Sequence, residues 1–478
     1  MTADRARLHG PEVMQNEARS WWLREALAAD PGVPCPPLSG RVRADVAIVG
    51  GGYTGMWTAF QLKQADPSVD VVLLEADICG GGPSGRNGGF MEALWDDFSV
   101  LADLFGNQEA ARIGQASERA IDFAVELFRK ADIDIWFRRG GSLNVSTSPL
   151  FDSALDEYLE VQSQDGFPAD FYQILSPSEV ADRCRSPKFR AGVLGTRGAT
   201  VQPARLARGL RALILNAGVR IYEGTPVEQL QGGTTVEIVT RDGAVSADQV
   251  VLGLNAWSNQ LPGFERSIIP RASHIILTEP APEKLKEIGW TGGEGLGDFR
   301  ATLNYVRTTP DGRIAFGAAT ATPGRGAEGR MSQDDGWYRR IEATLHRWFP
   351  EFRDVRIDSV WGGPIDVSAH HVPFFGSMWG GNVHFGMGFT GGGVGPCILG
   401  GQILCSLALG RQDEFTSLPL VGLRSKKFPP EPLLRIGARL TLEAILRTDD
   451  AWEAGKNGNP LLKAMAKLPR RLGYNLGH

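Results

Sequence analysis

The most chemically informative segment, residues 50–55, reads Gly-Gly-Gly-Tyr-Thr-Gly and follows an apolar run at 46–49. In this Gly-x-Gly-x-x-Gly pattern, Gly50 permits a tight turn and Gly52 lets a pyrophosphate approach the backbone. Gly55 lets the following helix pack closely on the strand, and the start of that helix faces the anion. The segment therefore predicts a dinucleotide site with contacts from Gly50, Gly51, Gly52, Tyr53, Thr54 and Gly55.

An acidic residue stands where a bound ribose would need one. Glu75 follows a second apolar run at 69–74, at the separation from the glycines that this motif requires, and with Ala76 it is a predicted cofactor contact. A carboxylate there accepts hydrogen bonds from ribose hydroxyls, whereas a 2′-phosphate would call for an arginine, so NADP is disfavoured. Strand, glycines, helix, strand and acid together favour a dinucleotide over a glycine-rich turn without function. They do not separate NAD from FAD.

A second glycine-dense loop, residues 80–89, follows the acidic strand directly. An extended cofactor could run beneath it, with its pyrophosphate near backbone amides, Ser84 and Arg86. Asn87, Gly88 and Gly89 would then lie toward the ring system. The alternative interpretation is a flexible surface loop.

A third glycine cluster occupies residues 385–396 and includes Gly391, Gly392 and Gly393. It also satisfies Gly-x-Gly-x-x-Gly, but Arg411 stands where an acid would be needed, which argues against a second nucleotide domain. A helix is predicted over 397–409, and its amino end would stabilise negative charge on a reduced flavin ring. The alternative is a glycine-mediated helix packing contact.

Composition and charge limit the kind of ligand. The chain has 478 residues, 60 of them Gly, with 42% hydrophobic and 22% charged residues. Those values are typical of a globular protein and exclude disordered, collagen-like and coiled-coil classes. The formal net charge of −5 is too small to suggest a nucleic acid partner, so a small molecule is the expected ligand.

The cysteines and apolar segments bear on the compartment. Five cysteines form no metal-ligand spacing, so we expect no metal site and a reducing environment. Charges are scattered through positions 1–20, which disfavours a signal peptide and predicts a cytoplasmic protein. The segment 372–410 holds no Asp, Glu, Lys or Arg, but glycines recur throughout it, so a membrane span is not expected.

Alternating and helical apolar spacing predicts the elements that position these segments. A proline-rich connector at 31–40 follows an N-terminal helix, and residues 46–74 form a strand, helix and strand. Further helices are predicted at 108–131 and 204–216, and further strands at 234–240, 274–278, 305–308 and 313–316.

The C-terminal tail is basic in an acidic protein. Residues 424–478 carry 11 Lys or Arg and 5 Asp or Glu, a net charge of +6. Its apolar residues predict an amphipathic helix that either docks on the body or touches an anionic membrane surface. These residues are Leu433, Leu434, Ile436, Leu440, Ile445 and Leu446.

With these motifs in hand, the chain resembles the D-amino-acid oxidase superfamily of FAD-dependent amine oxidoreductases, which includes glycine oxidase, sarcosine oxidase and gamma-glutamylputrescine oxidase. The resemblance covers about residues 42–410 and leaves both ends outside it. It is carried by residues 47–55, 84–89, 202–206, 225–227, 255–257 and 386–393. It implies that Val227 and Asn255 are further FAD contacts and that residues 386–393 form a flavin-capping turn.

The resemblance implies an α/β (α+β) fold in which a Rossmann-like FAD-binding domain is interleaved with a mixed-sheet substrate domain. The expected FAD-binding ranges are 42–95, 196–262 and 361–410, and the substrate ranges are 96–195 and 263–360. An N-terminal helix and connector (1–41) and a C-terminal helical extension (411–478) flank them. Some relatives attach FAD through a Cys before the last glycine segment, but no Cys lies between Cys184 and Cys397, so non-covalent FAD is expected.

In such enzymes the amine loses a hydride to the flavin, the resulting imine is hydrolysed to a carbonyl, and O2 or another acceptor reoxidises the cofactor. By the same resemblance, Arg307 would bind a substrate carboxylate and His274 would promote O2 reduction, with an ion pair and a structural histidine as the alternatives. His370 stands where many relatives have an acid, which bears on substrate preference. The expected pocket residues are Trp95, Tyr305, Trp361 and His370, the tryptophans having core packing as their alternative.

Two other functions fit the same motifs. One is a dehydrogenase that passes electrons to a quinone or carrier protein, with the basic tail as the membrane or carrier contact. The other is an FAD-binding protein without turnover. The sequence does not select the amine.

Overall fold

The computed structural model describes residues 5–9, 19–320 and 333–475. The strands are β1 (Arg5–Arg7), β2 (Gly40–Val49), β3 (Val71–Leu74), β4 (Phe90–Met91), β5 (Ser142–Val145), β6 (Tyr172–Leu175), β7 (Gly192–Gly195), β8 (Ala199–Thr200), β9 (Arg220–Tyr222), β10 (Val227–Gln231), β11 (Val236–Thr240), β12 (Gly243–Leu252), β13 (Ile268–Thr278), β14 (Gly295–Asp298), β15 (Asn304–Thr308), β16 (Ile314–Thr320), β17 (Ile357–Ser368), β18 (Phe374–Met378) and β19 (Val383–Met387).

The helices are α1 (Trp21–Ala29), α2 (Tyr53–Ala65), α3 (Phe98–Phe105), α4 (Asn107–Lys130), α5 (Ala154–Gln162), α6 (Pro177–Arg183), α7 (Pro203–Asn216), α8 (Pro282–Glu287), α9 (Asp335–Trp348), α10 (Pro396–Ala408), α11 (Leu433–Glu453), α12 (Pro460–Ala466) and α13 (Leu468–Arg471). The predicted helices and strands named above all form, with ends shifted by a few residues.

A nine-stranded sheet carries the first glycine segment. Its order is β1-β10-β11-β12-β2-β3-β9, with β19 beside the end of β12 and β18 beside β19. The central strands β12, β2, β3 and β9 run parallel, so their carboxyl ends meet at one edge. The apolar run at 46–49 is buried on both faces, as expected of a central parallel strand.

Helices α2 and α10 cover one face of this sheet. Nine of the 13 residues of α2 and 11 of the 13 of α10 are buried, which explains why the 372–410 region lacks charge. The two helices cross closely at Gly401, where a Cβ would lie 2.6 Å from the Cβ of Trp57. No helix in the described ranges has both the length and the apolar composition needed to cross a bilayer.

An eight-stranded mixed sheet forms the second layer. Its order is β17-β13-β16-β15-β14-β5-β7-β6, and only β14 and β5 pair in parallel. A separate apolar cluster that includes Phe316, Tyr338 and Trp348 joins it to α9. The α/β fold class predicted from the sequence is confirmed.

The strands of each sheet come from separated parts of the chain. Those of the first sheet lie within 5–7, 40–74, 220–252 and 374–387, and those of the second within 142–195 and 268–368. Strand β17 pairs with β13 across the predicted boundary at 360/361. The residue ranges of the domains stay predictions, and residues 1–4, 10–18, 321–332 and 476–478 within them lie outside the described residues.

The C-terminal extension forms a helical hairpin in which α11 leads through a turn into α12 and α13. Its inner half is tied to the second sheet, where Asp449 accepts hydrogen bonds from the backbone N–H and the hydroxyl of Thr302 at 3.1 and 2.8 Å. At the other end, the backbone N–H of Asn475 donates to the carbonyl of Ala369 at 2.8 Å. The hairpin therefore reaches from the loop between β14 and β15 to the loop that joins β17 of the second sheet to β18 of the first.

Candidate functional site

A cavity of about 1410 Å³ lies between the two sheets. It begins at the carboxyl ends of β2 and β3, passes under the loop at 80–89, and ends on the face of the second sheet and the C-terminal hairpin. Most of the predicted cofactor residues line it, whereas Gly51 and Gly55 lie just behind the wall. The lining residues are Gly50, Gly52, Tyr53, Thr54, Glu75, Ala76, Ser84, Arg86, Asn87, Gly88, Gly89, Val227, Asn255, Gly391, Gly392 and Gly393.

The first glycine segment forms a tight turn into α2. Gly50 has a φ of +110°, and a Cβ there would overlap the carbonyl oxygen of Gly253. At Gly55 a Cβ would overlap the carbonyl oxygen of Gly50. Gly52 caps α2 without a side chain of its own; the backbone N–H of Tyr53 donates to the Ser84 hydroxyl at 2.8 Å, and those of Thr54 and Gly55 face the anion position at the start of the helix.

Glu75 fixes the turn from the neighbouring strand. Its carboxylate accepts from the backbone N–H of Gly51 at 2.7 Å and from that of Asp77 at 2.9 Å. Burial raises the pKa of Glu75 to about 7. The backbone N–H of Thr225 donates to the Glu75 carbonyl at 2.8 Å, which brings the buried Val227 to the same end of the cavity.

The second glycine loop is held from several sides. Arg86 donates to the carbonyls of Gly81 at 3.0 Å and Gly362 at 3.3 Å, while Trp361 donates to the Arg86 carbonyl at 2.8 Å. The Asn87 side chain donates to the Ser84 carbonyl at 3.2 Å and accepts from the backbone N–H of Gly89 at 2.8 Å. The loop is therefore an ordered cavity wall with its own hydrogen bonds.

Arg307 supports this loop from behind and does not line the cavity. Its guanidinium donates to the carbonyls of Gly89, at 3.4 Å, and Val201, and it lies over the Trp22 ring at 5.4 Å. Burial lowers its pKa to about 9. A carboxylate-binding role does not fit this position, because the loop covers Arg307 while Tyr305, two positions earlier on β15, reaches the cavity.

His274 lies on the opposite face of β13 from the cavity. Side chains alternate along a strand, so Arg271 and Ser273 line the cavity and His274 packs edge to face on Tyr338 at 5.3 Å. Burial lowers the pKa of His274. The predicted role in O2 reduction does not fit a ring that the second sheet separates from the cavity.

Three of the four predicted pocket residues also lie outside the lining. Trp95 is buried and donates to the Glu118 carboxylate at 3.0 Å, and Trp361 is buried beneath Arg86. His370 accepts from the backbone N–H of Lys426 at 3.4 Å, while its neighbour His371 lines the cavity. Trp95 and Trp361 are therefore packed in the core, which was the alternative interpretation of both residues.

Tyr305 is the predicted pocket residue that does line the cavity. Its hydroxyl lies 2.6 Å from the Ser273 hydroxyl, and burial raises its pKa to about 12. Gly317 leaves room for the ring, because a Cβ there would overlap Tyr305 Cε2. Together with Arg271, these side chains form the polar floor of the cavity on the second sheet.

Asp366 is a site residue that sequence reasoning missed. Its carboxyl accepts from the Asn255 amide at 3.0 Å and from the backbone N–H of Gly388 at 2.5 Å, and burial raises its pKa to about 7. The signal was a lone acid within the otherwise uncharged run at 360–369. Through these bonds it positions the turn that carries Gly391, Gly392 and Gly393.

The wall fits an extended dinucleotide such as FAD. A side chain is excluded at Gly50 and Gly55, α2 begins without a side-chain cap, and the buried Oδ1 of Asn255 has no hydrogen-bond partner among the described residues. Gly50, Gly52, Glu75 and Val227 would hold the nucleotide end, and the 80–89 and 391–393 segments the ring end. When bound, FAD supplies a two-electron acceptor.

Comparison with known proteins tests the FAD assignment independently of the cavity geometry. The family model of DAO, described as FAD dependent oxidoreductase, matches residues 45–407. The chain is 28% identical over 400 residues to the gamma-glutamylputrescine oxidoreductase of Escherichia coli, covering 82% of this chain and 91% of that protein. It is 29% identical over 410 residues to a probable oxidoreductase, OrdL, of Rhizobium meliloti, covering 83% and 90%.

The fold agrees with these sequence matches. Glycine oxidase from Geobacillus kaustophilus superposes with a TM-score of 0.66 at 20% identity, covering 80% of this chain and 99% of that chain. The resemblance stated from the motifs, and the FAD cofactor that it implied, are confirmed by the family match. The chain therefore belongs to the DAO family of FAD-dependent oxidoreductases.

Proposed function

We propose that the protein oxidises the C–N bond of a small amine or amino acid. A single observation carries the proposal: one cavity joins the dinucleotide wall to a polar floor on the second sheet. A substrate on that floor would lie between the sheet and the ring end of the cofactor. Its carbon would give up a hydride, and water would hydrolyse the imine to a carbonyl.

The floor offers groups for both ends of an amino acid. Arg271 presents a planar guanidinium that suits a carboxylate, and burial lowers its pKa to about 10, so it is cationic at neutral pH. Ser273 and Tyr305 supply hydroxyls next to it. Glu92 and Asp96 line the same cavity, and because burial raises the pKa of both carboxyls, they would act as hydrogen-bonding partners of the amine.

FAD is held without a covalent bond in this proposal. Cys397 is the one cysteine of the described residues on the cavity wall. Its thiol lies 3.2 Å from the Thr54 hydroxyl, and burial raises its pKa to about 12, so it is a poor nucleophile. The five free thiols also support a cytoplasmic location.

The proposed acceptor is O2, as in an oxidase. The second candidate is a dehydrogenase that delivers electrons to a membrane quinone or a carrier protein. It is favoured by one observation, the exposed leucines and cations of residues 424–478, since such an enzyme needs a docking surface. A non-catalytic FAD-binding protein would not need the polar floor.

An anaerobic titration followed by air tests the reaction. The FAD-loaded protein is mixed with primary amines, secondary amines and D- and L-amino acids while the visible flavin band is recorded. Bleaching by one class and fast recovery in air supports the oxidase, and slow recovery with fast reduction of a soluble quinone supports the dehydrogenase. No bleaching with any member of the panel would contradict both.

The matched control is Arg129→Ala, measured beside Arg271→Ala. Arg129 lies on the exposed side of α4, paired with Glu126 and away from the cavity, so this variant should bleach with the same substrate class as the wild type. Arg271→Ala should lose the response to amino acids first.

A further inference from the structure

The C-terminal hairpin, defined here as residues 433–473, has an unusual outer surface. It holds six of the eleven large apolar side chains that are exposed in the described parts of the chain. These six side chains are 46–67% exposed. They are Leu433, Ile436, Leu440, Leu461, Leu468 and Leu472.

On α11 the exposed side chains continue a stripe that is buried further along. Leu433, Ile436 and Leu440 are spaced by three and four positions, so they share one face of the helix. The same spacing leads on to Ala444 and Thr448, which are buried. The apolar stripe is therefore covered over the second half of α11 and uncovered over the first half.

Most charges of the hairpin are sorted in the same sense, the exceptions being Glu443 and Arg447, which form an exposed ion pair at 2.6 Å. Asp450 pairs with Arg300 at 2.7 Å and with Arg340 at 2.6 Å, and Glu453 pairs with Arg300 at 3.1 Å, so these acids are bound to the body. The basic residues lie outward. Among the described residues, no carboxylate is within 4.0 Å of the cationic groups of Arg435, Arg439, Lys467, Arg470 and Arg471.

The exposed apolar residues of α11 and those at α13 lie close together at one end of the hairpin. Leu434 and Tyr474 pack in the same apolar cluster with Phe428, and Lys426 donates to the Leu472 carbonyl. The start of α11 therefore lies beside the end of α13. Exposed leucines and cations from both helices are presented there together.

We propose that this end of the hairpin docks peripherally on an anionic lipid bilayer. Apolar side chains flanked by arginine and lysine are the features that place an amphipathic helix in a bilayer interface. A second copy of the chain is a poorer occupant, because its own hairpin carries the same positive charge. Lys463, Lys467 and Arg470 also line the cavity, so docking would bring this side of the cavity to the membrane surface.

Vesicle co-sedimentation of the full-length FAD-loaded protein tests this. Vesicles of equal phosphatidylglycerol and phosphatidylcholine should pellet the protein, and phosphatidylcholine alone should not. Raising the salt from 0.1 to 0.5 M should release it, because screening weakens the attraction of cations to lipid phosphates. Equal binding to both vesicle types, or none to either, would overturn the proposal.

Variants distinguish vesicle binding through the hairpin from nonspecific adsorption of the protein. The triple variant Leu433→Ser, Ile436→Ser, Leu440→Ser and the double variant Arg435→Gln, Arg439→Gln should each reduce the bound fraction about tenfold. The control is Leu159→Ser, at an exposed leucine on α5. A concentration-dependent dimer that the triple variant abolishes would overturn the proposal in favour of a second copy. The readout needs no turnover, so it is independent of the proposed function.

Discussion

The Asn255 amide donates a hydrogen bond to the Asp366 carboxyl at 3.0 Å, and this bond joins the two sheets at the ring end of the cavity. Asn255 follows β12 of the first sheet, whereas Asp366 lies on β17 of the second. The same carboxyl accepts from the backbone N–H of Gly388, which follows β19. Three chain segments therefore depend on one buried acid for their relative position.

Replacing Asp366 by alanine should weaken FAD binding and the fold together. The change leaves the Asn255 amide and the Gly388 N–H buried without an acceptor, at a cost of about 1–3 kcal/mol each. We expect a lower melting temperature and loss of FAD on gel filtration, measured by the flavin to protein absorbance ratio. Asp366→Asn, which keeps an acceptor oxygen, should retain more flavin than Asp366→Ala. Equal flavin loss in both variants would contradict the role of that acceptor.

The raised pKa of Asp366 predicts a pH dependence in FAD-free protein. Its pKa is about 7 in the folded chain against an ordinary 3.8, so between these values the folded state holds a proton that the unfolded state has lost. The free energy of unfolding of the wild type, relative to Asp366→Asn, should therefore fall as the pH rises from 4 to 7. The slope is up to about 1.4 kcal/mol per pH unit. Urea unfolding at several pH values measures it, and a difference that rises with pH would contradict the assignment.

Gly55→Ala should destabilise the protein although the change adds one methyl group. The new Cβ would overlap the Gly50 carbonyl oxygen, so the turn or α2 must shift, at a cost of about 1–3 kcal/mol. We expect reduced flavin content and a lower melting temperature. Gly437→Ala is the matched control, since that glycine lies within α11 with nothing within 4 Å of its Cβ position. That variant should be neutral or stabilising.

The parts of the site that could be predicted from the sequence are those formed by residues close together along the chain. Gly50, Gly55 and Glu75 act within one strand, helix and strand, so their spacing alone predicted that unit and a dinucleotide ligand, whereas the interleaved fold was implied by the family resemblance. The position of the tail was also partly local, because the spacing of its leucines gave the helix. Which half of α11 would be covered depended on the body and did not follow from the spacing.

The residues of the polar floor were harder to predict. Their position depends on which face of each strand borders the cavity and on contacts between residues distant in sequence. His274 and Ser273 are neighbours on β13, and which of them reaches the cavity is decided by the packing of the sheet. Arg307 shares a face with Tyr305 but lies under the loop at Gly89, which belongs to a distant part of the chain. Single-sequence reasoning had no signal for that covering loop.

Arg271 and Arg307 should therefore respond differently to substitution. Arg271 lines the cavity, so Arg271→Ala should raise KM for an amino acid by about 10- to 100-fold, the loss expected for one hydrogen bond to a charged group. KM for an amine without a carboxylate should change little, and Arg271→Lys should restore part of the loss. Arg307→Ala should instead release FAD, since it removes the donor to the carbonyls of Gly89 and Val201. Steady-state kinetics at saturating FAD, with flavin content measured in parallel, distinguishes the two. An equal rise in KM for both substrate classes in Arg271→Ala would mean that Arg271 shapes the cavity and does not bind the carboxylate.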